Sequence, residues 1–144
     1  MFVVDTNLLV YSANIDAPEH SRALSLVETW RADAEPWFLT WSIVYEFLQV
    51  TTYRRRNRQM LQLAEAVRYV DAVLASPGVG LLTETPRHQA ILAELAGQHP
   101  RLSGNLLHDL HIAALMKEHG IDEIRTADTD FHQFKFLRVV NPLI

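Results

Sequence analysis

Cysteine is absent from the 144 residues. That excludes disulfides, thiolate metal sites and cysteine nucleophiles, and it fits a reducing cytosol. Long apolar runs are also missing, and none approaches the roughly 20 residues of a membrane-spanning helix. The amino terminus is apolar but is broken at Asp5 and has no basic leader, so it does not read as a signal peptide. Lysine is scarce: of 13 basic residues 11 are arginine, leaving Lys117 and Lys135. No Walker A, GxSxG or Rossmann glycine fingerprint occurs. Breakers are few, with 5 glycines and 6 prolines, and no linker, low-complexity tract or internal repeat appears. What is present is 49% apolar residues, enough for one good core. The expectation is a single domain over 1–144, cytoplasmic and without membrane contact.

Short apolar runs alternate with helical spacing. Phe2-Val3-Val4 reads as a strand with no polar face, buried on both sides as in a parallel sheet. A short helix follows from Asn7 to Ala13. Asp16 and Pro18 open a helix that runs to about Ala32. Trp37 to Thr40 is a second strand, and Ser42 caps a helix from Ile43 to about Tyr53. Further helices are expected over Gln59–Ala75, from Thr85-Pro86 to about Gly97, and from Asn105 to Lys117, where Gly120 supplies the stop. Val79–Leu82, Glu123–Thr126 and Leu137–Val140 complete about five short strands. This alternation predicts an α/β fold, a parallel sheet sandwiched by helices.

Acids recur at matching places on that scheme. Asp5 ends the first strand, and Glu46 lies early in the helix after the second. Asp109 is in the first turn of the helix before the fourth strand, and Asp128 and Asp130 follow that strand. In an open parallel sheet such places fall on one edge, where ligands bind. Each has a plainer explanation: Asp5 or Thr6 can N-cap a helix, Glu46 and Asp109 can favour helix starts, and Asp128 and Asp130 can form Asx-turns. But Glu46 sits among Ile43, Val44, Phe47 and Leu48, and Asp109 among Leu106, Leu107, Leu110 and Ile112. Acids in such company are expected to be partly buried, and a buried charge needs a partner. No lysine lies nearby in sequence. A hard divalent cation would satisfy all of them, and all-oxygen ligation favours Mg²⁺ or Mn²⁺ over zinc. His108, His111 and His132 flank these acids as candidate ligands or proton shuttles, although histidines at surfaces and helix ends are the commoner case.

The net charge is -4, yet setting the five acids aside leaves 12 Asp and Glu against 13 Lys and Arg. Arg54, Arg55, Arg56 and Arg58 close the helix that carries Glu46. A solvated helix end accounts for one or two of these more readily than for four. The alternative is a phosphate backbone that enters at the carboxylates and runs past the arginines.

The pattern VVDTNLLVY, a helix with Glu46, LLHDLHIAAL, TADTDFHQF and RVVNPL, in that order, resembles a PIN-domain protein. Within that family it is similar to the VapC-type toxins of bacterial toxin–antitoxin pairs. The resemblance implies a Rossmann-like sandwich and Mg²⁺- or Mn²⁺-dependent ribonuclease activity. It also implies Asp5, Glu46, Asp109 and Asp128 as metal-binding acids. Asp130 matches a further acid at or behind the metal, and Thr6 and Asn7 match positions that orient the first acid or a water. An RNA substrate, a homodimer and a small cognate antitoxin are implied as partners. Three rivals stand beside the toxin reading: a PIN nuclease that is not a toxin, an Mg²⁺-dependent phosphatase of small esters, and a non-catalytic module that binds RNA or a partner. The phosphatase would want a second acid where Asn7 stands. The binder would have no use for clustered negative charge.

Overall fold

The computed structural model describes residues 1–56 and 58–144. Phe2–Val4 forms β1, with all three side chains buried. Asp5 ends it. Its backbone N–H donates to the Arg125 carbonyl at 3.0 Å, and its carboxylate accepts from the Thr6 N–H at 2.7 Å. Helix α1 (Thr6–Ala13) therefore starts at the next residue. The other strands are β2 (Trp37–Thr40), β3 (Val79–Leu82), β4 (Glu123–Arg125) and β5 (Arg138–Val140). Every neighbouring pair is parallel, in the order β3-β2-β1-β4-β5.

That order fixes where a ligand can sit. The chain steps outward from β1 through β2 to β3, then returns across the sheet to β4 on the other side of β1. Strand direction does not change but the direction of progress does, between β1 and β4. In open α/β sheets, the crevice outside the carboxyl ends at that reversal is the binding position.

Helices cover the sheet in two groups. On one side α1 packs on α2 (His20–Ala32) and α3 (Trp41–Thr52), and α3 packs on α4 (Leu63–Leu74). The other group is α5 (His88–Gln98) against α6 (Leu106–Glu118). Because progress reverses after β3, right-handed crossovers put the two groups on opposite faces. Val3, Val4, Trp37, Leu39, Phe47 and Ile124 are buried in the core between them. The Trp37 indole N–H is satisfied inside it, donating to the Trp30 carbonyl at 3.1 Å. Helix α6 is apolar on most of its circumference, with Leu110 and Ile112 through Met116 all buried. Gly120, at φ 67°, ends it in the left-handed region that glycine adopts without strain.

The expected strands all form, and the differences lie at helix starts. Helix α2 begins at His20, not near Pro18, because Asn14 through Ala17 is spent on turns: Ala17 N–H donates to Asn14 and His20 N–H to Ala17. Thr40, not Ser42, caps α3, its hydroxyl accepting from Ile43 N–H at 3.2 Å. Helix α4 starts only at Leu63, where Glu65 reaches back to Gln62 N–H at 3.1 Å. Helix α5 starts at His88, since Thr85 opens a turn ahead of it: its hydroxyl accepts from the Arg87 N–H at 3.2 Å and its carbonyl from the His88 N–H at 2.9 Å. Asn105 stands at the cap position of α6 but makes no side-chain cap bond.

Candidate functional site

The predicted acids converge at the reversal point. A cleft of about 590 Å³ is lined by Glu46, Asp109, Asp128 and Asp130, together with Tyr45, Asn105 and His108. A hollow of about 260 Å³ adjoins it, lined by Asp5, Thr6, Asn7 and again by Glu46, Asp109 and Asp128. The three shared acids make one continuous site. Asp130 lies only on the outer wall.

Asp5 is the buried floor of this site. Its Oδ2 accepts from the Thr126 hydroxyl at 2.6 Å and from Asn7 Nδ2 at 2.7 Å. Asn7 is itself fixed, donating to Thr126 Oγ1 at 2.9 Å and accepting from Ala127 N–H at 3.1 Å. Thr6 serves the next acid, donating to Glu46 Oε2 at 2.6 Å. Thr126 Oγ1 also accepts from Asp128 N–H at 2.9 Å, and Asp128 Oδ1 accepts from Asp130 N–H at 2.9 Å. The helix-cap and Asx-turn roles of Asp5 and Asp128 are thus real. They coexist with the clustering, because a carboxylate has lone pairs enough for both.

The electrostatics are those of crowded anions. Burial pushes the Asp5 carboxyl up to about 6, against the lowering bonds from Thr126 and Thr6, and the charges of Glu46 and Asp128 add to the rise. Burial, then the charges of Asp5, Asp128, Asp130 and Glu46, pushes Asp109 up to about 7. No lysine or arginine lines either hollow among the described residues. Carboxylates that line one continuous site and raise one another's proton affinity call for a positive charge. The donor set is all oxygen, which fits a hard divalent cation.

One expected feature of the acids is corrected. Apolar neighbours were expected to bury Glu46, but it is exposed to the cleft. Ile43, Val44, Phe47 and Thr51 take the inward face of α3 and leave Tyr45 and Glu46 outward. Asp109 is half-buried, as its surroundings predict.

The arginines are not a helix end. Helix α3 stops at Thr52 and Tyr53 is already extended. Arg55 and Arg58 then face each other through two backbone bonds of 2.9 Å, and Arg56 takes a left-handed φ of 50°. Asn57, within the same run, lies outside the described residues. Arg54, Arg55 and Arg58 line a groove of about 1130 Å³, whereas Arg56 is exposed outside it. Val50 lines this groove and both acidic hollows, so the basic and acidic surfaces meet at one side chain.

The histidines separate. His108 lines the cleft, and His132 is exposed in the single turn Asp130–Gln133. His111 turns away from the acids and pairs with Glu84 at 2.8 Å. Sequence reasoning gave no role to Thr126, although its hydroxyl joins Asp5, Asn7 and Asp128. The available signal was a hydroxyl two residues ahead of an acid, the spacing of a side-chain turn.

Comparison with known proteins agrees with this geometry. The sequence model of the PIN domain matches residues 2–137. Ribonuclease VapC43 of Mycobacterium tuberculosis is 34% identical over 143 residues, covering 99% of this chain and 96% of the relative. Ribonuclease VapC33 of the same organism is 34% identical over 147 residues, covering 99% of both chains. Among solved structures, M. tuberculosis VapC20, described as a sarcin-ricin loop cleaving toxin, superposes with a TM-score of 0.68 at 19% identity, covering 95% of this chain and 97% of that one. The VapBC2 complex of Rickettsia felis, solved on a promoter DNA fragment, gives a TM-score of 0.65 at 16% identity, covering 97% of both. At such identities the superpositions speak for the fold.

Proposed function

The chain belongs to the PIN-domain family, and we propose that it is a divalent-metal-dependent endoribonuclease, a single domain acting in the cytoplasm as the toxin of a toxin–antitoxin pair. The observation that carries this reading is the convergence of Asp5, Glu46, Asp109 and Asp128 on one cleft at the sheet's reversal point, with Asp5 and Asp109 raised to about 6 and 7 by burial and by neighbouring carboxylates. Relatives named as VapC ribonucleases, at 34% identity over nearly the whole chain, support it.

In this reading Asp5, Glu46, Asp109 and Asp128 hold Mg²⁺ or Mn²⁺, with Asp130 at the edge. When bound, the ion supplies charge neutralisation for the phosphoryl oxygens and a more acidic attacking water. The chain's own residues do the positioning. Thr126 and Asn7 aim Asp5 Oδ2, Thr6 aims Glu46, and the Asp130 N–H holds Asp128. Hydrolysis of the phosphodiester leaves a 5′-phosphate, and no protein nucleophile is needed. On this reading Arg54, Arg55 and Arg58, in the groove that meets the cleft at Val50, would take the departing RNA backbone.

A small antitoxin and a second copy of the chain are the proposed protein partners. Complexes such as VapBC2 support the first, as does the surface beside the cleft. Trp41, Tyr45 and Val50 of α3, and Tyr53 just past its end, are large apolar side chains left exposed, a feature of protein-contact surfaces.

The test is cleavage of labelled RNA oligonucleotides with Mg²⁺, Mn²⁺ or EDTA, beside p-nitrophenyl phosphate. RNA should be cut only with metal, and Asp109→Asn should cut none while keeping a native circular dichroism spectrum. Wild-type cleavage by the variant would remove the metal-site assignment. Turnover of the small ester alone would make the protein a phosphatase.

A further inference from the structure

A second group of ligands lies on the α5–α6 side of the molecule, apart from the carboxylate cleft. Glu84 follows β3, His88 is the first residue of α5, and His111 is on α6. Each offers one ligand atom, and the three atoms lie within 4.8 Å of one another. Both rings are half-buried, and their centroids are 5.6 Å apart, edge to face.

What marks this group is the residue behind it. Glu118, at the end of α6, is buried with 4% exposure in a helix whose residues from Ile112 to Met116 are all buried. Burying a carboxylate is costly unless it is fully bonded. Glu118 accepts from the Thr85 N–H at 2.9 Å and the Thr85 hydroxyl at 2.7 Å, and its second oxygen is 2.6 Å from His88 Nδ1. With the Glu118 carboxylate as acceptor, this bond makes Nδ1 the donor and leaves Nε2 as the nitrogen available to a metal. Histidines that ligate metals are oriented in this way, through a carboxylate on the other ring nitrogen. An ordinary helix-start histidine needs no such support.

We propose that Glu84, His88 and His111 form an accessory transition-metal site, with Glu118 as the positioning residue behind His88. Two imidazoles and one carboxylate suit Zn²⁺ and exclude Mg²⁺, which takes oxygen. Ligand atoms around tetrahedral zinc stand about 3.3 Å apart, from bonds of about 2.0–2.1 Å. His111 Nε2 and Glu84 Oε1, at 2.8 Å, already lie inside that spacing. On binding, the proton they share leaves to solvent and the ion takes its place. The remaining closure is a swing of exposed Glu84 and the two rings. The fourth position stays open to water. The ion would tie the end of β3 and the start of α5 to α6, half a turn from Asp109.

This site stands independently of the nuclease reading, and its test reads metal and not activity. The metal-stripped full-length protein is titrated with Zn²⁺ by calorimetry, with Mg²⁺ in excess to occupy the carboxylate cleft. Co²⁺ absorption then reports the ligand geometry. One equivalent of Zn²⁺ should bind, Co²⁺ should give a tetrahedral imidazole-type spectrum, and both should persist in Asp109→Asn. His111→Gln, on a half-exposed side chain, should weaken Zn²⁺ by at least roughly tenfold, and Glu118→Gln by roughly 10–100-fold. Should Glu118→Gln not fold, His88→Gln replaces it. Binding that survives both histidine changes, or that disappears in Asp109→Asn, would place the ion in the carboxylate cleft and overturn the proposal. So would the absence of a Zn²⁺ equivalent, which would leave His88 and Glu118 as a structural pair.

Discussion

Thr126 carries no charge, yet its hydroxyl uses everything it has. It donates to Asp5 Oδ2 at 2.6 Å and accepts from Asn7 Nδ2 and Asp128 N–H, both at 2.9 Å. One donor and two acceptor lone pairs are the full inventory of a hydroxyl. Thr126→Val keeps the shape and removes all three. A buried carboxylate that loses a bonded donor costs about 2 kcal/mol or more. The bond favours ionised Asp5, so the loss should be larger at pH 7.5 than at pH 5. Urea unfolding at both pH values checks this, and Thr126→Ser should recover most of the stability. A loss equal at both pH values would mean that only packing was disturbed. The acids themselves were legible in the sequence, because charge inside an apolar run is conspicuous. Thr126 was not, because a threonine after a strand has many uses and only its neighbours in space select one.

Secondary-structure elements were legible for the same reason that their edges were not. Mostly apolar runs of three or four residues mark β1 through β3. Helix starts depend on a contest between nearby caps, and Thr40 wins over Ser42 through a single bond to Ile43 N–H. The segment between α3 and α4 shows the consequence for function. Read as the tail of a helix, its arginines would splay around an axis. Closed by the paired Arg55 and Arg58, Arg54, Arg55 and Arg58 share one groove that meets the acidic cleft at Val50. If they contact RNA phosphates, replacing Arg55 and Arg58 by Ala should flatten the salt dependence of RNA binding. The expected change is about 1.4 log units per log of salt, at roughly 0.7 per contact to a single strand. Fluorescence anisotropy with EDTA present isolates binding from cleavage. An unchanged slope would leave the groove without a phosphate.

For the whole molecule, the cleft is a cost that the fold carries until a cation arrives. Asp5 and Asp109 have carboxyls raised to about 6 and about 7, above unfolded values near 3.9. Between those limits the native state binds more protons than the unfolded chain. The contribution of these two groups to metal-free stability is therefore largest at low pH and is lost as pH rises through the two folded values. The rise at buried Asp5 alone is equivalent to about 3 kcal/mol. Mg²⁺ at a hundredfold excess over its dissociation constant should return about 2.7 kcal/mol. Melting curves at pH 5 and 7.5, with EDTA and with Mg²⁺, measure both effects. Asp109→Asn should melt higher than the parent at pH 7.5 in EDTA and gain little from Mg²⁺. A lower melting temperature would make Asp109 a structural acceptor. The parallel sheet was legible from runs buried on both faces, but strand order was not, since each parallel neighbour is chosen across a long stretch of chain. That order has a consequence in time. β1 is made before β2 and β3, and its partner β4 only after them. A nascent chain holding β1 through β3 contains Asp5 and Glu46 but not Asp109 or Asp128. No fragment ending short of residue 128 can assemble all four carboxylates, so on the proposed function a chain halted before that point would lack the complete site.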